Sequence, residues 1–214
     1  MKQRWLFLVF IIASVFSSVE CFGEAKYKGF LGAGGSLMYG DTYEYVMGCD
    51  GKVGLSLRTE HGVCFDINDW RKDGVFFGAG IGFDYVNVAL SDFNDEKYET
   101  TNILSNSVMA IPLYLTIKYI YNMRKISMVF QGKGGYYKWF RGHIIDADKE
   151  LDKNYDIPYR GSYLLGLGMG VRFPINNQYG VSVMLDFDYM GSNVKWQDEN
   201  ISNHKLGLSL AFDF

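Results

Sequence analysis

Three histidines, His61, His143 and His204, are the side chains best suited to proton transfer near neutral pH, and Ser202 stands two residues before the last of them. A Ser-x-His spacing is as easily a hydrogen-bonded turn as a nucleophile with its base. No acidic residue that would orient the imidazole is identifiable, so no catalytic residue is assigned and no enzymatic activity is expected. His61 reads as an interfacial, satisfied histidine. A second candidate is the run Asp146, Asp148, Glu150, Asp152 and Asp156, whose alternating carboxylates offer oxygens to a calcium ion. Leu151, however, occupies the place where a calcium-binding loop requires glycine. The expectation is a solvated acidic segment, with no metal and no cofactor. Three cysteines form no motif either. Cys49 and Cys64 lie at opposite ends of one extended segment spanning roughly 50 Å, whereas a disulfide needs Cα atoms within about 7 Å.

What remains is a set of charges whose meaning comes from their parity. Successive strand side chains point to opposite faces. In Lys205 to Phe214, the residues Leu206, Leu208, Leu210, Phe212 and Phe214 share one parity, against Lys205, Gly207, Ser209, Ala211 and Asp213 on the other. Tyr179 to Tyr189 repeats the design, with aromatics bracketing Val181, Val183, Leu185 and Phe187, and with Ser182, Met184, Asp186 and Asp188 opposite. The same alternation runs through Tyr163 to Phe173, Met109 to Tyr121 and Val75 to Tyr85. It is weaker in Ile126 to Trp139, where Gly132, Gly134 and Gly135 interrupt it, and glycine-rich in Tyr27 to Tyr39 and Gly51 to Gly62. Eight strands result, each long enough to cross a bilayer as a tilted strand of about nine to eleven residues.

The polar parity collects Lys28, Lys52, Arg58, Glu60, Asp84, Lys118, Lys133, Arg172, Asp186, Asp188, Lys205 and Asp213. An eight-stranded barrel is just wide enough for side chains to fill it, so these charges are expected to face one another in a sealed, paired interior network. The expected pairs are Lys205 with Asp186 or Asp188, and Lys28 with Asp213. The fold class is therefore all-β, an eight-stranded antiparallel up-and-down transmembrane barrel. A soluble, lipocalin-like barrel with its leucines lining a cavity is the rival. Aromatic girdles and the glycine-filled opposite face favour the membrane version.

The ends agree. Lys2 and Arg4 precede an apolar run from Trp5 to Phe16, too short for the roughly twenty apolar residues of a spanning helix, so residues 1–25 are expected to be a secretory signal peptide. Cleavage is expected after Ala25, with Cys21 and Gly23 as alternatives, leaving residues 26–214 as the barrel. Net charge of -3 and a pI near 5.6 leave no basic stripe for a nucleic-acid partner. The alternating last strand with Phe212 and Phe214 resembles the C-terminal assembly signal of bacterial outer-membrane barrels. That resemblance implies the barrel-assembly machinery as a partner during biogenesis.

Lys28-Gly-Phe-Leu-Gly-Ala-Gly-Gly35, Phe76-Phe-Gly-Ala-Gly-Ile-Gly-Phe-Asp-Tyr85 and Ile111-Pro-Leu-Tyr-Leu115 resemble segments of small "porin family" or OmpA/OmpX-like barrels of the Bacteroidota type. The resemblance implies an outer-membrane location in a Gram-negative envelope, with outer-membrane lipid and lipopolysaccharide as neighbours. The tethering role of full-length OmpA relatives is not carried over, since no peptidoglycan-binding domain is expected after the eighth strand.

Tyr121 to Lys125 and Pro174 to Gln178 are short turns, assigned to the periplasm along with both termini. Gly40 to Asp50, Asn87 to Ser107, Phe140 to Arg160 and Met190 to His204 are long and assigned to the outside. The expected role is structural or surface-binding through those long loops, without an open pore, with a surface or periplasmic protein as the further partner class. An accessory barrel of envelope biogenesis or secretion, docking through its periplasmic turns, is the alternative. It is motivated by the overlong Val63 to Asp73 connection, which is expected to be a strand extension or a small knob bearing Trp70, Arg71 and Lys72. A narrow solute pore is the third reading.

Overall fold

The computed structural model describes residues 25–40, 52–68, 73–88, 103–146, 151–155, 161–176, 178–196 and 199–214. Their strands are β1 (Ala25–Gly40), β2 (Lys52–Asn68), β3 (Asp73–Val88), β4 (Ile103–Asn122), β5 (Ser127–Asp146), β6 (Leu151–Tyr155), β7 (Ser162–Pro174), β8 (Gly180–Trp196) and β9 (Glu199–Asp213). Each pairs antiparallel with its neighbours in the cyclic order β1, β2, β3, β4, β5, β7, β8, β9. The circle closes where β9 returns to β1. Eight strands thus make a closed, up-and-down transmembrane barrel in which no long sheet edge is left open. β6 stands outside this count, pairing with the last part of β5 as a hairpin beyond the start of β7.

Both faces of the wall follow the parity of the sequence. On β9, Leu206, Leu208, Leu210 and Phe212 are exposed, as is Phe214 just beyond it, while Lys205 and Asp213 are 1% and 0% exposed. The same outward rows run along β1 (Leu31, Leu37), β2 (Val53, Leu55, Leu57), β4 (Leu113, Leu115, Ile117), β7 (Leu165, Leu167, Met169) and β8 (Val183, Leu185, Phe187). A band of this extent is satisfied by hydrocarbon, where each leucine gains about 1.5–3 kcal/mol over exposure to water. The lipocalin-like alternative is excluded, because the leucines point away from the interior and the charges point into it.

The connections differ in how they meet expectation. β2 continues to Asn68 and β3 starts at Asp73, so most of the Val63 to Asp73 connection is the strand extension, one of its two expected forms, with a register irregularity between Asp66 and Asn68. Residues 69–72, including Trp70, Arg71 and Lys72, lie outside the described residues. The segment Met190 to His204 is likewise a hairpin rather than a long loop, with Trp196 opposite Glu199. Within Phe140 to Arg160, the β5–β6 hairpin replaces most of the expected loop. In each case backbone hydrogen bonding continues past the apolar pattern, since a ladder needs no alternation once it has left the bilayer.

Candidate functional site: the charged lumen and the terminal rim

The end of the barrel where β1 begins and β9 finishes is here the terminal end, and the opposite one the far end. Inward side chains form three layers between them. Phe30, Cys64, Phe76 and Ile120 pack together near the terminal end, with Cys64 buried and free. Met38, Val86, Tyr137, Trp139, Leu164 and Met190 fill the far end. The charges occupy the middle and the terminal mouth.

In the middle layer, Asp186 and Asp188 on β8 share two cations from other walls. Arg58 of β2 lies 3.4 Å from Asp186 and 3.1 Å from Asp188, and Lys133 of β5 reaches both at 2.8 Å. Room for this four-charge cluster comes from β7, where Gly166 and Gly168 sit opposite Asp188 and Asp186 in register. A β-carbon on Gly166 would collide with the Asp188 carboxylate, and one on Gly168 would stand 2.7 Å from that of Asp186.

Beside it, Glu60 is ion-paired with Lys118 at 2.5 Å and accepts from Tyr114 Oη and Gln131 Nε2 at 2.9 Å each. The Lys118 ammonium also stands 3.6 Å from the centre of the Phe30 ring, a cation–π contact that joins the charged layer to the apolar one. Towards the far end, Asp84 on β3 accepts from Lys205 of β9 at 2.5 Å, from Tyr137 Oη at 2.6 Å and from the Ser56 hydroxyl. At the terminal mouth, Nε and Nη2 of Arg172 both reach one oxygen of Asp213, at 2.7 and 2.5 Å. A cavity of about 30 Å³ lies among Phe30, Arg58, Glu60, Gln131, Met184 and Asp186.

Glu60, Asp84, Arg172, Asp186, Asp188, Lys205 and Asp213 are thus all buried in the lumen. The expected partners require correction. Lys205 pairs with Asp84 instead of Asp186 or Asp188, and Asp213 pairs with Arg172 instead of Lys28. Lys28 lies half-buried at the terminal mouth. The Lys52 side chain is outside the described residues. Sequence reasoning missed the hydroxyl and amide partners, Ser56, Tyr114, Gln131 and Tyr137. Their inward parity was the available signal, since a buried carboxylate needs donors beyond one cation.

The chemically suggestive histidines have other surroundings. His61, on the outer face, is hydrogen-bonded to the Tyr27 hydroxyl at 2.6 Å through Nδ1 and to the Thr59 hydroxyl at 2.9 Å through Nε2, so both ring nitrogens are engaged. His204 packs among the rings of Tyr39, Tyr189 and Phe187, at 5.2, 5.3 and 5.8 Å. The side chains of His143 and of the acidic run 146–156 lie outside the described residues, as does Cys49. Phe212 and Phe214 belong to a row of rings round the terminal rim. Phe212 stacks on Tyr179 at 5.8 Å and on Phe214 at 6.3 Å, and Phe214 meets His61 edge-on at 6.2 Å. Backbone hydrogen bonds of 2.8 and 3.0 Å tie Phe214 to Gly29, closing the seam.

No protein-family model matches this chain, and no curated protein does. Among solved structures it is similar to Neisserial surface protein A (NspA), at 12% identity over 88% of this chain and 97% of that one, with a TM-score of 0.49. It is also similar to Ail, the attachment invasion locus protein of Yersinia pestis, solved in complex with the heparin analogue sucrose octasulfate, at 12% identity over 89% and 99% with a TM-score of 0.43. The outer membrane protein OprG from Pseudomonas aeruginosa stands at 10% identity over 91% and 98%, with a TM-score of 0.45.

Proposed function

We propose that this chain is an integral outer-membrane barrel with a structural or surface-binding role, its filled lumen serving as a rigid mount for the segments at the far end and not as a conduit. The observation that carries this reading is the middle layer. Charges from six walls are cross-linked there between two apolar layers, and the void among them is about 30 Å³. A hydrated ion needs a continuous path, whereas paired charges of this kind resist displacement by several kcal/mol each.

The two ends support an orientation. At the terminal end, Met123 to Ile126 and Ile175 to Tyr179 are tight, hydrogen-bonded turns, the pattern of periplasmic connections. At the far end, β4 and β5 reach Ile103 and Asp146, and the β5–β6 and β8–β9 hairpins continue beyond the belt. In this reading the far end faces outward, lipopolysaccharide surrounds it, and any protein partner meets the hairpins. The barrel-assembly machinery is the partner during insertion, through Phe212 and Phe214.

Two experiments test the proposal. Purified protein in planar bilayers is expected to give no unit conductance, and stable steps would replace this reading with that of a narrow pore. Replacing residues 141–160 with a short turn is expected to preserve the folded barrel while abolishing attachment of intact cells to whatever surface the wild type binds. Unchanged attachment and envelope integrity would count against the role.

A further inference from the structure

The wall of the barrel is notched at the terminal rim. Ala25 to Lys28 of β1 pair with Phe65 to Gly62 of β2, but β9 stops at the level of Gly29, so among the described residues these four have no strand on their other side. Across the gap stands the β7–β8 turn. It is fixed by the Ile175 amide on the Tyr179 carbonyl at 2.9 Å and by the Asn176 side chain, which accepts from the amides of Gln178 and Tyr179 at 2.8 Å each. Between them is a cleft of about 550 Å³ lined by Lys26, Tyr27, Lys28, Gln178, Tyr179, Phe212 and Phe214.

The lining sorts by parity. Lys26 and Lys28 belong to the lumen side of the wall and Tyr27, Phe212 and Phe214 to the side that meets lipid, while exposed Gln178 and Tyr179 come from the turn. Lys26 is neutralised by Asp66 at 2.9 Å. The ammonium of Lys28 has no ion pair or hydrogen bond among the described residues, because Asp213, the carboxylate at this mouth, is taken by Arg172. Among the described residues no aspartate or glutamate lines the cleft, and the main-chain oxygen of Phe214 at its edge is held by the Gly29 amide. It therefore offers the Lys28 ammonium and the Gln178 amide beside a stacked row of aromatic rings.

We propose that this notch is a binding site for an anionic membrane phospholipid. The phosphate of the headgroup is held by Lys28, with Lys26 and Gln178 beside it, and the start of an acyl chain lies along Tyr179, Phe212 and Phe214. Charge complementarity selects the headgroup and the ring row selects a lipid over a free anion.

The test counts retained lipid by native mass spectrometry on the full-length barrel, purified in a non-ionic detergent and mixed with phosphatidylglycerol or phosphatidylcholine. Phosphatidylglycerol is expected to be retained in preference to phosphatidylcholine, and Lys28→Gln to lower its retention about fivefold. Lys125→Gln, in the exposed β4–β5 turn at the same end, is expected to leave retention unchanged, and Tyr179→Ala to lower retention of both lipids. Heat-modifiable migration on gels checks that each variant is folded. Equal losses for Lys125→Gln and Lys28→Gln would mean a diffuse surface potential, and no loss for Lys28→Gln would mean no site. Either result overturns the proposal, as would inorganic phosphate displacing the lipid as well as a short-chain phosphatidylglycerol does.

Discussion

Along β9 the two faces of one strand live in opposite media. Leu208 leaves 59% of its surface to the surroundings, while Lys205, three residues earlier on the other face, leaves 1%. Outside, side chains are interchangeable, since any apolar group of similar size satisfies hydrocarbon, and the neighbours Leu206 and Leu210 do the same work. Inside, the charges of the middle layer have assigned partners on other walls. Asp84 on β3 answers Lys205 on β9, and Arg58 on β2 answers Asp186 and Asp188 on β8. The outer face is thus specified by composition and the inner one by pairing, so substitutions should be forgiven on one and costly on the other.

The largest effect separating the two faces is expected from Arg58→Ala. It leaves two buried carboxylates sharing Lys133 alone, and breaking a buried ion cluster from one side costs about 3–5 kcal/mol. Equilibrium urea unfolding in phospholipid vesicles would measure it, and a cost within about 0.5 kcal/mol of wild type would show that the cluster carries no stability. Next comes a charge on the outer face. Leu208→Arg is expected to cost about 2–4 kcal/mol if this position is near the bilayer midplane, whereas Leu208→Ile should cost less than about 1.5 kcal/mol. The same titration would compare them. Equal costs would undo the claim that the outer face tolerates any apolar shape.

A smaller loss, about 1–3 kcal/mol, is expected for Gly166→Ala, whose methyl group would push against the Asp188 carboxylate. Gly134→Ala offers the contrast on the outer face. A β-carbon there meets only Leu165, at 4.0 Å, and should be neutral or slightly stabilising. Comparing their unfolding midpoints would sharpen the distinction between a glycine that makes room for charge and one that merely lines the lipid side.

Much of this was legible in the residues, for a reason that also sets the limit. Alternation in Lys205 to Phe214 and Tyr179 to Tyr189 reports which face a side chain takes, because the period of a strand is fixed at two. It does not report who stands across the lumen. That depends on strand tilt and shear, which bring Lys205 to Asp84 even though Asp188 is its register neighbour on β8. Strand ends were less legible. Met190 to His204 reads as a long loop, yet β8 continues to Trp196 and pairs there with β9. His61 was correctly placed on the outer face, where Thr59 two residues earlier shares its parity, but its other hydroxyl partner, Tyr27, comes from β1 and leaves no trace in spacing.

The central claim is that the interior is held by specific pairs across the lumen, and a double-mutant cycle at Asp84 and Lys205 tests it most directly. Asp84→Asn, Lys205→Met and the double variant, unfolded in vesicles, are predicted to give a coupling energy of about 1–3 kcal/mol, with the cycle of Lys205→Met and Asp188→Asn smaller. Additivity at Asp84 and Lys205 within about 0.3–0.5 kcal/mol, with the coupling found at Asp188 instead, would contradict it.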